Sequence, residues 1–427
     1  MSRILITTWP LANHLNLNTA LAKALRDRGH EVAFYTGPSA SAVLAREGFR
    51  NFDFQEVSET QAEEATERLR ELRREPRKLK PYWSKLFVGT VPGQLRDLDR
   101  IRTEWPPDAL VTCLTMWGPI LFIPEKWHIP VIAFSHVANC LVPGPEGAIP
   151  GVAKPRPFKG ARKIVAKILT AIVGRTTASV RQEASDLRVA HGLPPLTVNV
   201  TEYTGGLPLY LMPGAPELDY DRKDLPPSVH YIGACLWDKP ADEPAPAWLD
   251  GIAKDRPCVV VDEGALYTQD APMLELAAKA LANQPMTAVL LAGQRRQPES
   301  VPLAQLAPNV SLHYGAALSD LLPRASLLVS NGNSDAVIAA LLKGIPVIVL
   351  PSIWDQTEMA WAVHQSGAGL RLDTDKATPE QLRAAVERVM REPEFRRQAQ
   401  RLSGAIKQCG GAAKAAELVE RAAASRA

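Results

Sequence analysis

The chain has 427 residues, of which 46% are hydrophobic and 22% are charged, and this composition is close to the average of globular proteins. A chain of this length holds roughly two to three domains of ~100–200 residues and buries a large core, so disulfides or metal ions are not needed to stabilise it. The net charge of +3 argues against a nucleic-acid binder recognised by bulk charge, and five scattered cysteines without a Cys-x-x-Cys pair argue against a disulfide scaffold or a zinc ribbon.

The N-terminus predicts a cytoplasmic protein. Met1–Ile4 leads directly into a strand-like run, which leaves no room for a signal peptide. Nowhere does an apolar run approach the ~18 residues of a membrane span.

Short β-branched runs alternate with longer helical patterns along the whole chain, as in parallel βαβ units. Strands are predicted at Ile4–Thr8, Glu31–Tyr35, Ala109–Thr112, Val131–Ser135, Val229–Ile232, Val259–Asp262, Thr287–Leu291, Val310–His313, Leu327–Ser330 and Val347–Leu350. Helices are predicted at Leu15–Arg28, Pro272–Ala282, Asp335–Lys343, Thr357–Ser366, Pro379–Glu392 and Phe395–Gln408, among others. The pattern predicts an α/β protein with two doubly wound parallel sheets.

A stretch rich in proline and charge marks the predicted domain boundary. We predict an N-terminal domain over residues 1–212, a linker over 213–228, a C-terminal domain over 229–408 and a C-terminal tail or helix over 409–427.

One segment has an unusual charge. Residues 147–182 contain no acidic side chain, and eight basic side chains lie within 154–181 beside apolar residues at helical spacing. This pattern predicts either a basic amphipathic helix with weak contact to a membrane surface or an anionic ligand, or a surface helix docked on its own domain.

The first candidate functional residue is His14, which follows the first strand and begins a helix. Ligands of open α/β sheets bind outside the carboxyl ends of the strands. A helix N-terminus opposes added positive charge, so His14 is predicted to be neutral, as a general base near pH 7 must be. A purely structural histidine is the alternative.

The second candidate is a polar turn between the strand Leu327–Ser330 and an apolar helix. Its residues are Asn331, Gly332, Asn333, Ser334 and Asp335. Backbone N–H groups at such a turn and helix N-terminus can bind a phosphate or diphosphate. An ordinary helix cap by Ser334 or Asp335 is the alternative, and the charge of Asp335 would repel a phosphate.

The third candidate is the pair Asp355 and Gln356, which follows the strand Val347–Leu350. Their side chains can form several hydrogen bonds to neighbouring hydroxyls, as sugar recognition requires.

Together these motifs resemble those of GT-B glycosyltransferases of the family that contains plant and bacterial UDP-glycosyltransferases and macrolide glycosyltransferases. The matching segments are residues 13–17, 25–32, 309–324 and 327–372, and the resemblance covers nearly the whole chain. It implies two Rossmann-like domains that face each other across a cleft.

Several family positions are substituted here. Cys113 stands where an aspartate orients the histidine, Gly315 replaces a tryptophan that stacks on the base, and Asn331-Gly-Asn replaces His-Gly-Gly. The family's Thr/Ser-x-Gly-Thr/Ser loop reads Asp262-Glu263-Gly264-Ala265 here, so two hydroxyls are lost and two acidic side chains appear. We expect Glu263 to be a possible partner of His14, Gly264 to join the diphosphate site, and Arg295 or Arg296 to supply a missing cation.

The resemblance implies an inverting, metal-independent transfer of a sugar from a UDP- or dTDP-sugar to a small lipophilic acceptor such as a secondary metabolite. In this interpretation His14 is the base, Asp355 and Gln356 bind the sugar, and Trp117, Phe134 and His136 contact the acceptor. No metal, other cofactor or nucleic acid is expected, and the chain would be a monomer or homodimer. The alternatives are a degenerate GT-B homologue that binds a ligand or activates a partner without catalysis, and a nucleotide-sugar 2-epimerase.

Overall fold

A computed structural model describes residues 1–72, 75, 78–137, 141–144, 178–240, 242–264, 272–293, 301, 303, 305–353 and 355–424. The described chain forms two parallel sheets flanked by helices, and this confirms the predicted fold class.

The first sheet has seven parallel strands in the order β3-β2-β1-β4-β5-β6-β7. The strands are β1 Arg3–Thr7, β2 Glu31–Thr36, β3 Arg50–Asp53, β4 Ala109–Cys113, β5 Val131–Phe134, β6 Leu209–Met212 and β7 Val229–Tyr231. The sequence patterns identified neither β3 nor β6. Strand β7 pairs with β6, so the predicted boundary at residue 228/229 separates a strand from its own sheet. The proline-rich stretch before β7 connects two strands of the first sheet, and on the way its residues Ala215 and Leu218 pack into a core of the second domain.

The helices of the first half lie around this sheet. They are α1 Ala12–Asp27, α2 Ser41–Arg46, α3 Glu59–Glu71, α4 Lys80–Trp83, α5 Val91–Glu104, α6 Trp117–Trp127, α7 178–190 and α8 Val200–Gly205, with a π-helix at Ser84–Val88.

The second sheet has six parallel strands in the order β10-β9-β8-β11-β12-β13. The strands are β8 Cys258–Asp262, β9 Thr287–Ala292, β10 Val310–Tyr314, β11 Leu327–Ser330, β12 Val347–Val349 and β13 Gly369–Arg371. Its helices are α9 Pro272–Leu281, α10 Leu318–Leu321, α11 Ser334–Leu342, α12 Gln356–Ser366, α13 Pro379–Arg391, α14 Pro393–Gln408 and α15 Gly411–Ala424.

Helices cover both faces of each sheet, which explains the continuous apolar runs of the strands. In β8, Val259 and Val261 pack into one core of the second domain and Val260 packs into the other. Successive side chains of a strand point to opposite faces, so both faces require apolar residues.

The C-terminal helix α15 returns to the first domain. It packs against α1, where Ala415 and Val419 share a core with Leu21. The segment predicted as a tail is therefore part of the N-terminal domain's packing, and the chain crosses between the domains twice.

Among the described helices, none has the length and apolar character needed to cross a bilayer. The basic segment 154–181 lies outside the described residues except for its last four, which belong to α7.

Candidate active site

A hydrogen bond joins the two domains close to the carboxyl ends of their strands. Asn16 Nδ2, in the first turns of α1, donates to Asp335 Oδ2 at the start of α11 with a distance of 3.2 Å. This contact places His14, two residues before Asn16, beside the cleft that also contains the turn 331–335, which we call the donor loop.

His14 lies against a second histidine. Strand β4 lies between β1 and β5 in the sheet, yet His14 after β1 and His136 after β5 stack above its end with ring centroids 3.8 Å apart and planes tilted by 33°. The Nδ1 atom of each ring is buried and has no hydrogen-bond partner among the described residues.

Both imidazoles are neutral at physiological pH. Burial lowers the pKa of His14 well below its ordinary value, and repulsion from a protonated His136 lowers it further. Burial alone lowers the pKa of His136 to about 4. The predicted neutrality of His14 thus arises from desolvation and its neighbour, whereas the sequence argument attributed it to the helix dipole.

The structure does not pair His14 with the partner predicted for it. The carboxylate of Glu263 accepts a hydrogen bond from the Gly293 N–H at 3.1 Å, and its carbonyl accepts one from Asn331 Nδ2. Cys113 is fully buried, its Sγ lies 3.4 Å from Thr115 Oγ1, and burial raises the pKa of its thiol. The Glu263 carboxylate is thus engaged elsewhere, and Cys113 carries a thiol in place of a carboxylate.

The donor loop is held by its own side chains. Gly332 N–H donates to Ser330 Oγ, and Asn333 N–H donates to Asn331 Oδ1, each at 3.1 Å. Two amides that the sequence argument left open for a phosphate are therefore engaged, and a diphosphate bound here would have to replace those bonds. Gly332 has a φ of 97°, and an added Cβ would meet Val349 Cγ1 at 2.9 Å.

Asp335 serves the contact between the domains. Its Oδ2 accepts from Asn16 and its Oδ1 accepts from the Ala336 N–H at 2.9 Å. Burial raises its pKa. These bonds direct the carboxylate to α1 and to the N-terminal end of α11, and the part of Asp335 in a diphosphate site stays a prediction.

Gly264 lies directly against the donor loop. Its φ is 72°, and a Cβ at this position would lie 2.0 Å from Asn333 Nδ2. Its N–H donates to Asp262 Oδ1 at 3.1 Å. Burial, followed by the charge of Asp335, raises the pKa of Asp262 to about 7.

Asp355 and Gln356 begin α12 beside the same loop. Gln356 Oε1 accepts from the Ser352 N–H, the Ser352 hydroxyl and the Ile353 N–H, whereas its Nε2 is buried without a partner among the described residues. Burial raises the pKa of Asp355 to about 7. A buried amide donor without a partner is suited to a ligand hydroxyl or other acceptor.

The residues predicted to contact the acceptor occupy different environments. Trp117 is half-buried at the start of α6 and stacks on Phe87 of the π-helix, with ring centroids 5.3 Å apart. Phe134 is 1% exposed and packs with Ile132 in the core beneath α1 and α15, so its assignment to the acceptor site is wrong. Its position in β5 points it to the face of the sheet that α1 and α15 cover.

The predicted cationic residues and a metal site are considered last. Arg295 and Arg296 lie outside the described residues. Within the described ranges, no group of three or more histidine, cysteine, aspartate or glutamate side chains is arranged to hold a metal ion.

The sequence is similar to those of several known proteins. Residues 287–421 match the model of the C-terminal domain of erythromycin biosynthesis protein CIII-like proteins. The chain is 28% identical over 424 residues to 4'-demethylrebeccamycin synthase of Lentzea aerocolonigenes, covering 98% of this chain and 99% of that protein. It is 24% identical to demethyllactenocin mycarosyltransferase of Streptomyces fradiae, covering 98% and 86% of the two chains.

The solved structures establish the fold. The glycotransferase of kitacinnamycin aligns with a TM-score of 0.75 at 22% identity, covering 99% of each chain. The chain is a GT-B glycosyltransferase. Another similar structure is that of the glycosyltransferase VinC in complex with dTDP, with a TM-score of 0.69 at 19% identity over 99% of each chain. These comparisons give no support to a non-catalytic homologue.

Two features of this glycosyltransferase's site were missed from sequence. Asn16 belongs to the matching segment 13–17, but its partner Asp335 lies 319 residues further along the chain, so no local pattern indicates their contact. Phe87 lies in a charged and aromatic stretch without a motif, and only the π-helix places it on Trp117.

Proposed function

We propose that this glycosyltransferase inverts the configuration at the anomeric carbon and acts without a metal, with His14 as the general base. The nucleoside diphosphate sugar binds at the donor loop, and a small lipophilic acceptor binds beside Trp117 and His136. The hydrogen bond between Asn16 and Asp335 carries this proposal, because it brings the base and the donor loop to the same cleft.

The reaction is a single displacement. The acceptor hydroxyl passes its proton to the neutral imidazole of His14 as its oxygen forms a bond to the anomeric carbon. The bond from that carbon to the diphosphate breaks at the same time, and its electron pair leaves with the diphosphate. Attack from the opposite face inverts the anomeric configuration. A histidine that is neutral in the resting protein can accept this proton at neutral pH.

The diphosphate leaves at a site whose carboxyl groups can be protonated near neutral pH. Asp262 and Asp355 have pKa values of about 7, so either carboxyl can be neutral when a dianion or trianion arrives. The start of α11 adds oriented N–H dipoles. Protonation of these groups offsets part of the repulsion that ionised carboxylates would exert.

The donor and acceptor classes follow from the relatives. The similar VinC structure contains dTDP, and two relatives are named for rebeccamycin and lactenocin chemistry. We therefore propose dTDP- or UDP-sugars as donors and a lipophilic natural product as acceptor, with Gln356 Nε2 donating to a sugar hydroxyl.

Replacing His14 by alanine tests the mechanism. We expect kcat to fall by ~10²–10⁴-fold, because general-base catalysis contributes about that factor. Binding of dTDP, measured by calorimetry, should change little, because His14 lies on the acceptor side of the cleft. The anomeric configuration of the wild-type product, read by NMR coupling constants, tests inversion, and turnover in EDTA tests metal independence.

The matched control is His364→Ala, which removes an exposed histidine of α12. It should retain wild-type turnover. A folded His14→Ala enzyme with wild-type kcat would refute the assignment of the base, and a product with retained configuration would refute the displacement.

A further inference from the structure

His136 is held in one position by the turn that follows β5. Ser135 is fully buried, and the Val137 N–H donates to Ser135 Oγ at 3.2 Å, while this hydroxyl donates to the Val137 carbonyl. The two bonds close a tight turn around residue 136. The backbone of His136 therefore has little conformational freedom.

The described contact of the His14 ring with a neighbouring side chain is made by its face, whereas a catalytic histidine normally has a hydrogen bond at a ring nitrogen. The His136 ring lies over the His14 ring at 3.8 Å, and the buried Nδ1 atoms of both rings have no hydrogen-bond partner in the described part of the chain. A histidine used as a base normally has its orientation fixed by a hydrogen bond to a carboxylate. Here stacking is the contact that restricts the ring.

The charged groups on the elements around His14 are engaged elsewhere. On α11, Asp335 binds Asn16; on β4, the buried Cys113 thiol contacts Thr115; on α15, Glu420 binds Arg28 and Glu417 binds Lys414. Among the described residues, His136 is the titratable neighbour that affects the pKa of His14.

We propose that His136 is a positioning residue for His14 and that the contact between the two rings fixes the orientation of the His14 imidazole, as a hydrogen-bonded carboxylate does in histidine–aspartate pairs. The catalytic part of this inference rests on the proposed function. Only one of the two rings can carry a proton without repulsion.

Two substitutions distinguish the effect of the stacked His136 ring from the effect of its titratable nitrogens. His136→Phe keeps a stacking ring but removes the titratable nitrogens, and His136→Ala removes both. We expect His136→Phe to lower kcat less than His136→Ala does and to shift the acidic limb of the kcat/KM pH profile to higher pH. His136→Ala should lower kcat by about 10- to 100-fold with little change in KM, because misplacing a reacting group costs factors of this size.

A measurement without turnover tests the same coupling. In protein labelled at histidine, NMR titration should show that His14 accepts a proton at higher pH in His136→Phe than in wild type. His313→Phe, which replaces a histidine stacked on Trp248 at 3.5 Å in the other domain, should leave the titration of His14 unchanged.

The outcomes are distinguishable. An unchanged His14 titration in His136→Phe, or a His136→Ala enzyme with wild-type kcat and pH profile, would overturn the inference. Loss of thermal stability in His136→Ala with an unaltered kcat would indicate a structural role only and would also overturn it. If His14→Ala retained activity while the NMR shift was present, the proposed function would fail and the coupling between the rings would stand.

Discussion

Desolvation acts on the ionisable side chains of this cleft in opposite directions. It lowers the pKa values of His14 and His136 and raises those of Asp262 and Asp355 to about 7. In each case burial disfavours the charged form. The cleft therefore holds bases without a proton beside acids that retain one, and clusters of shifted groups of this kind are typical of functional sites.

The substitution Asp262→Asn tests this effect through stability. The folded protein holds the Asp262 proton up to a pKa of about 7, against an ordinary value of 3.8. Between those values the folded state binds more protons than the unfolded state, so wild-type stability contributed by this group is lost as pH rises. Asn has no such dependence, and its advantage should grow from pH 4 to pH 7 and then level off.

The measurement is urea unfolding at pH 5 and pH 8, where one pKa unit corresponds to about 1.4 kcal/mol. Asp375→Asn, on an exposed loop, serves as the control. An Asp262→Asn advantage that is equal at both pH values would contradict the raised pKa.

At the scale of single elements, the turns after β8 and β11 depend on glycine. Gly264 and Gly332 both have positive φ and both lie against neighbouring groups that leave no space for a Cβ. L-residues rarely adopt this conformation. The two turns pack together through Asn333, so the position of the donor loop depends on small residues in both.

Gly332→Ala should therefore destabilise the protein more than Gly315→Ala. Both positions have positive φ, 97° and 67°, but Gly315 has no atom within 4 Å of an added Cβ, whereas Gly332 would contact Val349 and Gln356. Gly315→Ala should cost about 1–2 kcal/mol of conformational energy. Gly332→Ala should cost that amount plus the clash, and it should weaken dTDP binding.

Chemical denaturation of the two variants, followed by calorimetric titration with dTDP, provides the comparison. Equal loss of stability at both positions would show that the donor loop relaxes around the new methyl group.

At the scale of the whole molecule, the contacts between the two domains include side-chain hydrogen bonds among the described residues. Asn16 of α1 binds Asp335 of α11, and Tyr220, in the stretch before β7, donates to Glu358 of α12. The α14–α15 connection is a second covalent crossing. Such an interface allows relative motion of the domains, and the Asn16–Asp335 bond selects the arrangement with His14 near the donor loop.

Asn16→Ala and Asp335→Ala should be non-additive. If the bond between them sets the closed arrangement, each variant should raise KM for the donor, and the double variant should be little worse than either single one. The expected coupling is about 1 kcal/mol, the usual contribution of one hydrogen bond. Steady-state kinetics of the four proteins gives this value directly.

Asp335→Asn keeps a side-chain oxygen that can accept from Asn16 and should behave more like wild type. Additive effects of the two alanine substitutions would show that the contact has no role in closure.

The sequence by itself determined the elements that local physics specifies. Apolar runs bounded by turns predicted ten strands, and the helix predicted at Leu15–Arg28 is α1, which spans Ala12–Asp27 and contains His14 in its first turn. The same patterns located the donor loop and the Asp355–Gln356 pair at carboxyl ends of strands, because parallel strands expose these ends at one edge.

Only the tertiary structure decided how these parts combine. The short strands β3 and β6 carry weak periodicity, and β7 joins the first sheet because pairing with β6 outweighs its proline-rich approach. Phe134 became core and His136 came to stack on His14 because alternate residues of β5 and the turn after it point in different directions. Burial then set the protonation of both histidines and of Asp262, and burial is a property of the packed chain that no local pattern contains.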